Sequence, residues 1–236
     1  MKIIAIDASG MAGSVAYMKD AQLVGEYYIC HKLTHSETIM PMLEDLKKLV
    51  DINLEEVDAI AVTSGPGSFT GLRIGVATAK AMALALDIPI IGIPTLDVMA
   101  HNIAYTDSLI CPIMDARRNQ VYTSIYKWNE ETLERINDHE AIDMGELLAK
   151  FEQLEGNVIF VGDGIDVFRG QIIECLGKRA KFAPSFLKMQ RASALGHIAC
   201  RAYEEGNVED ADLFAPIYLR KSQAERELEE REAREN

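Results

Sequence analysis

The run SGPGSFTGLRIG, Ser64–Gly75, restricts the fold more than any other stretch of this chain. The strand-like segment VDAIAVTS leads into it and the Ala-rich segment ATAKAMALAL leads out. Such a passage reads as a strand, a sharp Gly-Pro-Gly turn and a helix, with Ser68 or Thr70 as the helix cap. Gly71, Gly75, Ala79 and Ala83 recur at four-residue steps and form a smooth stripe along that helix. Leu72, Val76, Ala77, Met82 and Leu84 cover much of the rest, and only Arg73 and Lys80 carry charge. A helix apolar on nearly every side has to be covered on several sides. The sheet supplies one cover. The other is either more of the same chain or a second protein. Backbone N–H groups at such a turn can also hold a phosphate, but the run fits neither G-x-x-x-x-G-K-[ST] nor G-x-G-x-x-G.

The remaining segments alternate in the same style. Lys2–Ala8, Ser14–Met18 and Leu23–Cys30 read as strands, followed by a helix from the capping box Thr34–Glu37 to about Val50, with Pro41 disturbing its first turn. Val57–Ser64 and Pro89–Ile93 are strands, and Thr95–Tyr105 looks helical. A second set begins with strands at Leu109–Met114 and Gln120–Trp128. A helix at Met144–Leu154, a strand at Asn157–Val161, and helices at Val167–Leu176 and Ser193–Glu205 complete it. Hairpins followed by strand–helix alternation predict mixed sheets with helices on their faces, an α/β protein. The expected organisation is an N-terminal lobe over 1–104 that carries the partner-docking helices, a C-terminal lobe over 105–190, and a helix and strand over 191–220 packing back on the first lobe. Residues 221–236, KSQAERELEEREAREN, form a charged extension with one large apolar residue, Leu228, so its removal should barely move the melting temperature.

Composition narrows the function. A net charge of −13, from 24 basic and 37 acidic residues, argues against this chain gripping nucleic acid alone. The four cysteines are scattered and fit buried thiols in a reducing cytoplasm. No uninterrupted apolar run reaches the ~18–20 residues of a membrane helix, and the N-terminus does not read as a signal peptide.

The segments IIAIDAS, HSETIMPMLEDL, SGPGSFTGLRIG with the AKAMALAL that follows, and the late APIYLR together resemble the TsaB (YeaZ) family, over about residues 1–220. The resemblance implies an actin-like ATPase (ASKHA, ribonuclease H-like) fold of two related α/β lobes with mixed sheets. It also implies a non-catalytic subunit that binds a TsaD-like catalytic subunit and forms a homodimer when alone, with a TsaE-like ATPase joining the complex. The catalytic subunit would transfer threonylcarbamoyl from an AMP-linked intermediate to N6 of adenosine 37 in tRNAs reading ANN codons. tRNA would reach this chain only indirectly. The residues implied at the partner face are Ile39, Met40, Leu43 and Lys47, with Leu72, Gly75, Val76, Ala79, Met82 and Ala83.

Candidate chemistry is sparse. His31-x-x-x-His35 has the spacing of a metal pair, but His31 ends a strand and the helical spacing is not expected to form. Aligned by the strand Pro89–Ile93, Thr95 and Met99 stand where the catalytic relatives carry two histidines, so no metal centre or cofactor is expected. Asp7, after the first strand, and Gly162-Asp163-Gly164, after a later one, leave residual nucleotide binding open, with ordinary turns as the other reading. Asp115, Arg117 and Arg118 read as a polar site at a strand end or a salt-bridged turn; His101, His139 and His197 read as structural or surface residues. No G-x-S-x-G elbow or Ser/His/Asp triad is present. The rival readings are an actin-like-fold ATPase, a metalloprotease-like enzyme, or a homodimer with an unrelated binding role.

Overall fold

The computed structural model describes residues 1–220 except Lys32, so the charged extension lies outside the described residues. The first half contains β1 (Lys2–Asp7), β2 (Gly13–Lys19), β3 (Gln22–Ile29), α1 (His35–Leu49), β4 (Ala59–Gly65), α2 (Phe69–Leu86), β5 (Ile90–Pro94) and α3 (Thr95–Ala100). The second contains β6 (Leu109–Asp115), β7 (Gln120–Thr123), β8 (Tyr126–Asn129), β9 (Thr132–Arg135), β10 (Glu140–Asp143), α4 (Met144–Lys150), β11 (Val158–Val161), α5 (Gly164–Leu176), β12 (Ala180–Phe182) and α6 (Ala192–Glu204).

The two halves repeat one design. The first sheet runs β3-β2-β1-β4-β5, and the main path of the second runs β10-β7-β6-β11-β12. In each, the first strand pairs antiparallel with the second and parallel with the fourth. The hairpin β8–β9 is an addition, joined to β6 through Ile110 and Tyr126. Each half also gives its last helix to the other lobe. Leu96, Met99 and Ala100 of α3 pack with Ile110, Met114 and Val161 of the second lobe. Ala192, Leu195 and Ala199 of α6 pack with Ile3, Ala5, Ala61 and Ile91 of the first. This exchange ties the lobes together.

Helix starts follow local chemistry. α1 begins at the capping box, where the Thr34 N–H donates to Glu37 Oε2 (3.0 Å), and Pro41 is carried inside the helix instead of starting it. Ser68 caps α2, its Oγ accepting from the Gly71 N–H (3.2 Å). Glu26 on β3 holds the start of α6. Its carboxylate accepts from the Ser193 N–H (2.9 Å) and hydroxyl (2.8 Å) and pairs with Arg191 (2.7 Å).

Three expectations need correction. Gln120–Trp128 is two strands because Asn137 intervenes: its Oδ1 accepts the Ile125 N–H (2.8 Å), and its carbonyl accepts the Ser124 hydroxyl (2.7 Å). The helix expected over Thr95–Tyr105 ends at Ala100. Beyond it Asn102 donates to the carbonyls of Leu187 and Met189 and anchors the chain there. The strands β9, β10 and β12 were not anticipated, and of the strand expected within 191–220 the described residues hold a single bridge, Ile90 to Glu209. Finally, α2 is the one helix among the described residues long and apolar enough, by length and composition, to cross a membrane; here it lies against β1 and β4.

Candidate docking face and interlobe cleft

The small-residue stripe of α2 faces inward. Gly75, Ala79 and Ala83 are buried, the last two fully, in the core with Ile4, Ile6, Ala8, Val62 and Ile39. A Cβ at Gly75 would stand 3.3 Å from the Ala8 Cβ, and one at Gly71 would collide with the Ala8 carbonyl. The stripe therefore lets α2 settle closely onto the end of β1, inside this monomer. This corrects the partner face implied above. Ile39, Leu43, Leu72, Gly75, Val76, Ala79 and Ala83 belong to the interior, and Met82 is half-buried against the same core. Only Met40, 47% exposed, and Lys47 lie outside.

The opposite side of α2 carries Ala77, Ala81 and Ala85, all exposed, with Ile74 and Thr78 half-buried beside them and Leu84 50% exposed. On α1 the exposed apolar residues are Met40 and Leu49. Arg73 is the one charge fully in the open on α2, and its guanidinium lies over the Phe69 ring (4.0 Å). Lys80 is turned aside, donating to the carbonyls of Asp212 (3.1 Å) and Phe214 (2.9 Å). The outer face of α2 is thus low, apolar and almost uncharged.

Between the lobes lies a cleft of about 540 Å³, with Ser9, Gly67, Ser68, Asp115, Arg117 and Asp163 on its walls. Asp7 does not line it. Asp7 is fully buried, and its Oδ1 accepts from the Ser9 N–H (2.8 Å), the Ser9 hydroxyl (2.8 Å) and the Thr63 hydroxyl (3.2 Å). Burial pushes its carboxyl up to about 6 despite these bonds. Gly162 and Gly164 are buried against β6, where a Cβ at either would press on the Ile113 carbonyl, and of the G-D-G turn only Asp163 reaches the cleft. Asp163 Oδ1 accepts the Asp115 N–H (3.1 Å), and burial raises its carboxyl. Asp115 pairs with Arg117 (3.1 Å), so the salt-bridged turn and the strand-end polar site are one feature.

The histidines resolve individually. His35 opens α1 with its Nε2 at hydrogen-bonding distance from the Gly10 carbonyl (2.8 Å), while His31 is exposed outside the helix, so the pair shares no helix face. Thr95 and Met99 are buried in or beside the interlobe core. His139 belongs to a cluster that no sequence spacing announces. The Tyr126 hydroxyl donates to Asp97 Oδ1 (2.5 Å), and His139 Nε2 lies 2.9 Å from both. Burial pushes the Asp97 carboxyl up, but the hydrogen bonds from His139 and Tyr126 outweigh it and hold the group below its usual range. Burial and the Asp97 carboxylate both raise the Tyr126 phenol.

Two sheets that share one five-strand path, exchanged terminal helices and a cleft flanked by matching strand ends define the actin-like ATPase (ASKHA) fold. A family model described as TsaD, tRNA N6-adenosine threonylcarbamoyltransferase, matches residues 31–228. The tRNA threonylcarbamoyladenosine biosynthesis protein TsaB of Bacillus subtilis (strain 168) is 32% identical over 225 residues, covering 95% of this chain and 96% of its own. The TsaB protein of Escherichia coli (strain K12) is 30% identical over 233 residues, covering 97% and 98%. A crystal structure of an uncharacterized Pseudomonas aeruginosa protein with similarity to peptidase YeaZ superposes with a TM-score of 0.81 at 24% identity, covering 93% and 99%. The chain belongs to the TsaB (YeaZ) family, within the wider group that the TsaD model describes.

Proposed function

We propose that this chain is a partner subunit in tRNA threonylcarbamoyladenosine biosynthesis, one that binds a TsaD-like catalytic subunit and carries no chemistry of its own. The observation that supports the reading best is the outer face of α2. An exposed row of Ala77, Ala81 and Ala85 beside Leu84 is uncharged, short-chained and smooth enough for another helix to approach closely. Met40 and Leu49 on the neighbouring α1 extend the apolar surface. A homodimer through the same face, when the chain is alone, follows from the same chemistry. A TsaE-like ATPase is the further member of the assembly. The net charge of −13 leaves tRNA contact to the partners, and the setting of this work would be the cytoplasm.

Activation without chemistry has a simple physical form: a partner that prefers one conformation of the catalytic subunit shifts its population toward that conformation. The rival reading, an ATPase, is weakened by Asp7. Its carboxyl is sealed among Ser9 and Thr63 and does not face the cleft. The test is co-purification with a TsaD-like protein followed by a tRNA modification assay with and without this chain. Modification that depends on the chain is expected. Modification unaffected by it, or steady ATP turnover by this chain alone, would overturn the proposal.

A further inference from the structure

The last described residues form a strap across the mouth of the interlobe cleft. After α6 the chain returns to the first lobe, where Ala211 and Phe214 enter the core and Lys80 of α2 holds the carbonyls of Asp212 and Phe214. The Ile217 N–H then donates to the Ser64 carbonyl (2.7 Å), next to the Gly-Pro-Gly turn. The Ile217 carbonyl occupies the space a Cβ at Gly65 would need, and Gly65 has φ of +111°, so this position is open only to glycine. Tyr218 packs on the Phe69 ring at the start of α2, with centroids 4.7 Å apart. Arg220 crosses to the second lobe and donates from Nη1 to the Ala116 carbonyl (2.7 Å), inside the turn that carries Asp115 and Arg117. Ile217, Tyr218, Leu219 and Arg220 thereby form one wall of the cleft.

We propose that residues 215–220 are a latch that holds the interlobe cleft narrow, and that release of the latch at Arg220 is the step that opens it. The holds are unequal. The first lobe grips the segment through Lys80, Ser64 and Phe69, whereas the hydrogen bond that residues 215–220 make to the described part of the second lobe is that of Arg220 to the Ala116 carbonyl. Ile217 is 52% exposed and Tyr218 40%, Pro216 and Leu219 are half-buried, and no residue of 215–220 is fully buried. A segment with few buried contacts belongs to the low-stability end of a structure, from which moving elements are drawn. The far-side hold is a charge on a carbonyl at the cleft rim, where a ligand or partner that competes for the guanidinium can break it.

The test is amide hydrogen exchange on the full chain carrying Tyr218→Ala and Arg220→Ala, compared with the unsubstituted chain. Segments 64–70 and 114–120 form the two walls next to the strap. Both are expected to exchange at least tenfold faster in the variant, while β1 and α6 keep their protection. Arg220→Ala alone should accelerate 114–120 more than 64–70, since it removes only the far hold. If both walls keep the unsubstituted rate, the strap is a passive surface segment and the proposal fails. If protection falls throughout the chain, the strap is a general stabilising element, and the proposal fails equally.

Discussion

Asp7 and Asp115 make the same turn in opposite lobes. Each ends the first strand of its sheet, and each uses Oδ1 to accept the backbone N–H two residues on, from Ser9 and from Arg117, at 2.8 Å in both cases. Their surroundings differ. Asp115 looks into the cleft and is paired with Arg117, whereas Asp7 is fully buried, with Oδ2 lacking a hydrogen-bond partner among the described residues. Duplication kept the turn and separated the electrostatics.

That difference predicts a pH effect. The Asp7 carboxyl is raised from 3.8 to about 6 in the folded chain, so folding takes up a proton in this range. Its favourable contribution is full below the unfolded value and is lost as pH rises through about 6. At neutral pH the buried carboxylate therefore costs about 3 kcal/mol, taking ~1.4 kcal/mol per pH unit. Asp7→Asn keeps an acceptor for Ser9 without the charge. It should raise unfolding free energy by ~1–3 kcal/mol at pH 7.5 and give almost none of that gain at pH 4. Urea denaturation at the two pH values measures this. An equal effect at both would show that Asp7 does not carry the cost.

The Asp97–Tyr126–His139 cluster has the opposite sign. Asp97 is held below its usual range, so its contribution is present above the unfolded pKa and lost as pH falls through the folded one. Tyr126→Phe removes a donor 2.5 Å from the carboxylate inside a buried setting. The expected loss is ~1–3 kcal/mol at pH 7, shrinking as the solution is acidified and Asp97 takes up a proton. A loss that stays constant as pH falls through the titration of Asp97 in the folded chain would mean that the packing of Tyr126, and not its bond to Asp97, is what matters.

Helix and strand existence was legible where local chemistry decides it. The Thr34–Glu37 capping box and the Ser68 cap mark true helix starts, and the strand runs into Ser64 and Asp115 are true strands. What local chemistry does not encode is the neighbour. Four-residue spacing shows that Gly71, Gly75, Ala79 and Ala83 share a face, but a face of small residues suits a second helix or the end of a strand equally well. Ala8, short and at the strand end, decides for the strand. The exchange of α3 and α6 is invisible for the same reason, since apolar periodicity fits either lobe. Asp97, Tyr126 and His139 come from three separate segments, and no spacing rule brings them together. Asp7 was placed correctly at its strand end, yet its burial depends on Ser9 and Thr63 folding over it.

Two alanines on α2 test the docking face directly. Ala79 is fully buried beside Gly75, on the side that meets the sheet, whereas Ala81 is exposed on the far side. They lie two residues apart in the chain and about 200° apart around the helix. Ala79→Leu forces extra methyl groups against the core around Ala8, Val62 and Ile39. Overpacking of this kind costs ~1–3 kcal/mol, which should lower the melting temperature by several degrees. Ala81→Arg adds a long charged side chain where nothing in the monomer obstructs it, so stability should stay within ~0.5 kcal/mol. Placed in a helix contact, however, an unpaired guanidinium has to be desolvated, and association should weaken at least tenfold, about 1.4 kcal/mol. Calorimetry on each variant, with sedimentation of the chain alone and capture by a TsaD-like subunit, separates the two effects. A destabilised Ala79→Leu chain together with a stable Ala81→Arg chain that no longer associates is the expected pair. If Ala81→Arg binds as tightly as the unsubstituted chain, the outer row of α2 is not the docking face. If Ala79→Leu is as stable as the parent and loses its partner, the inward packing of the small stripe is wrong.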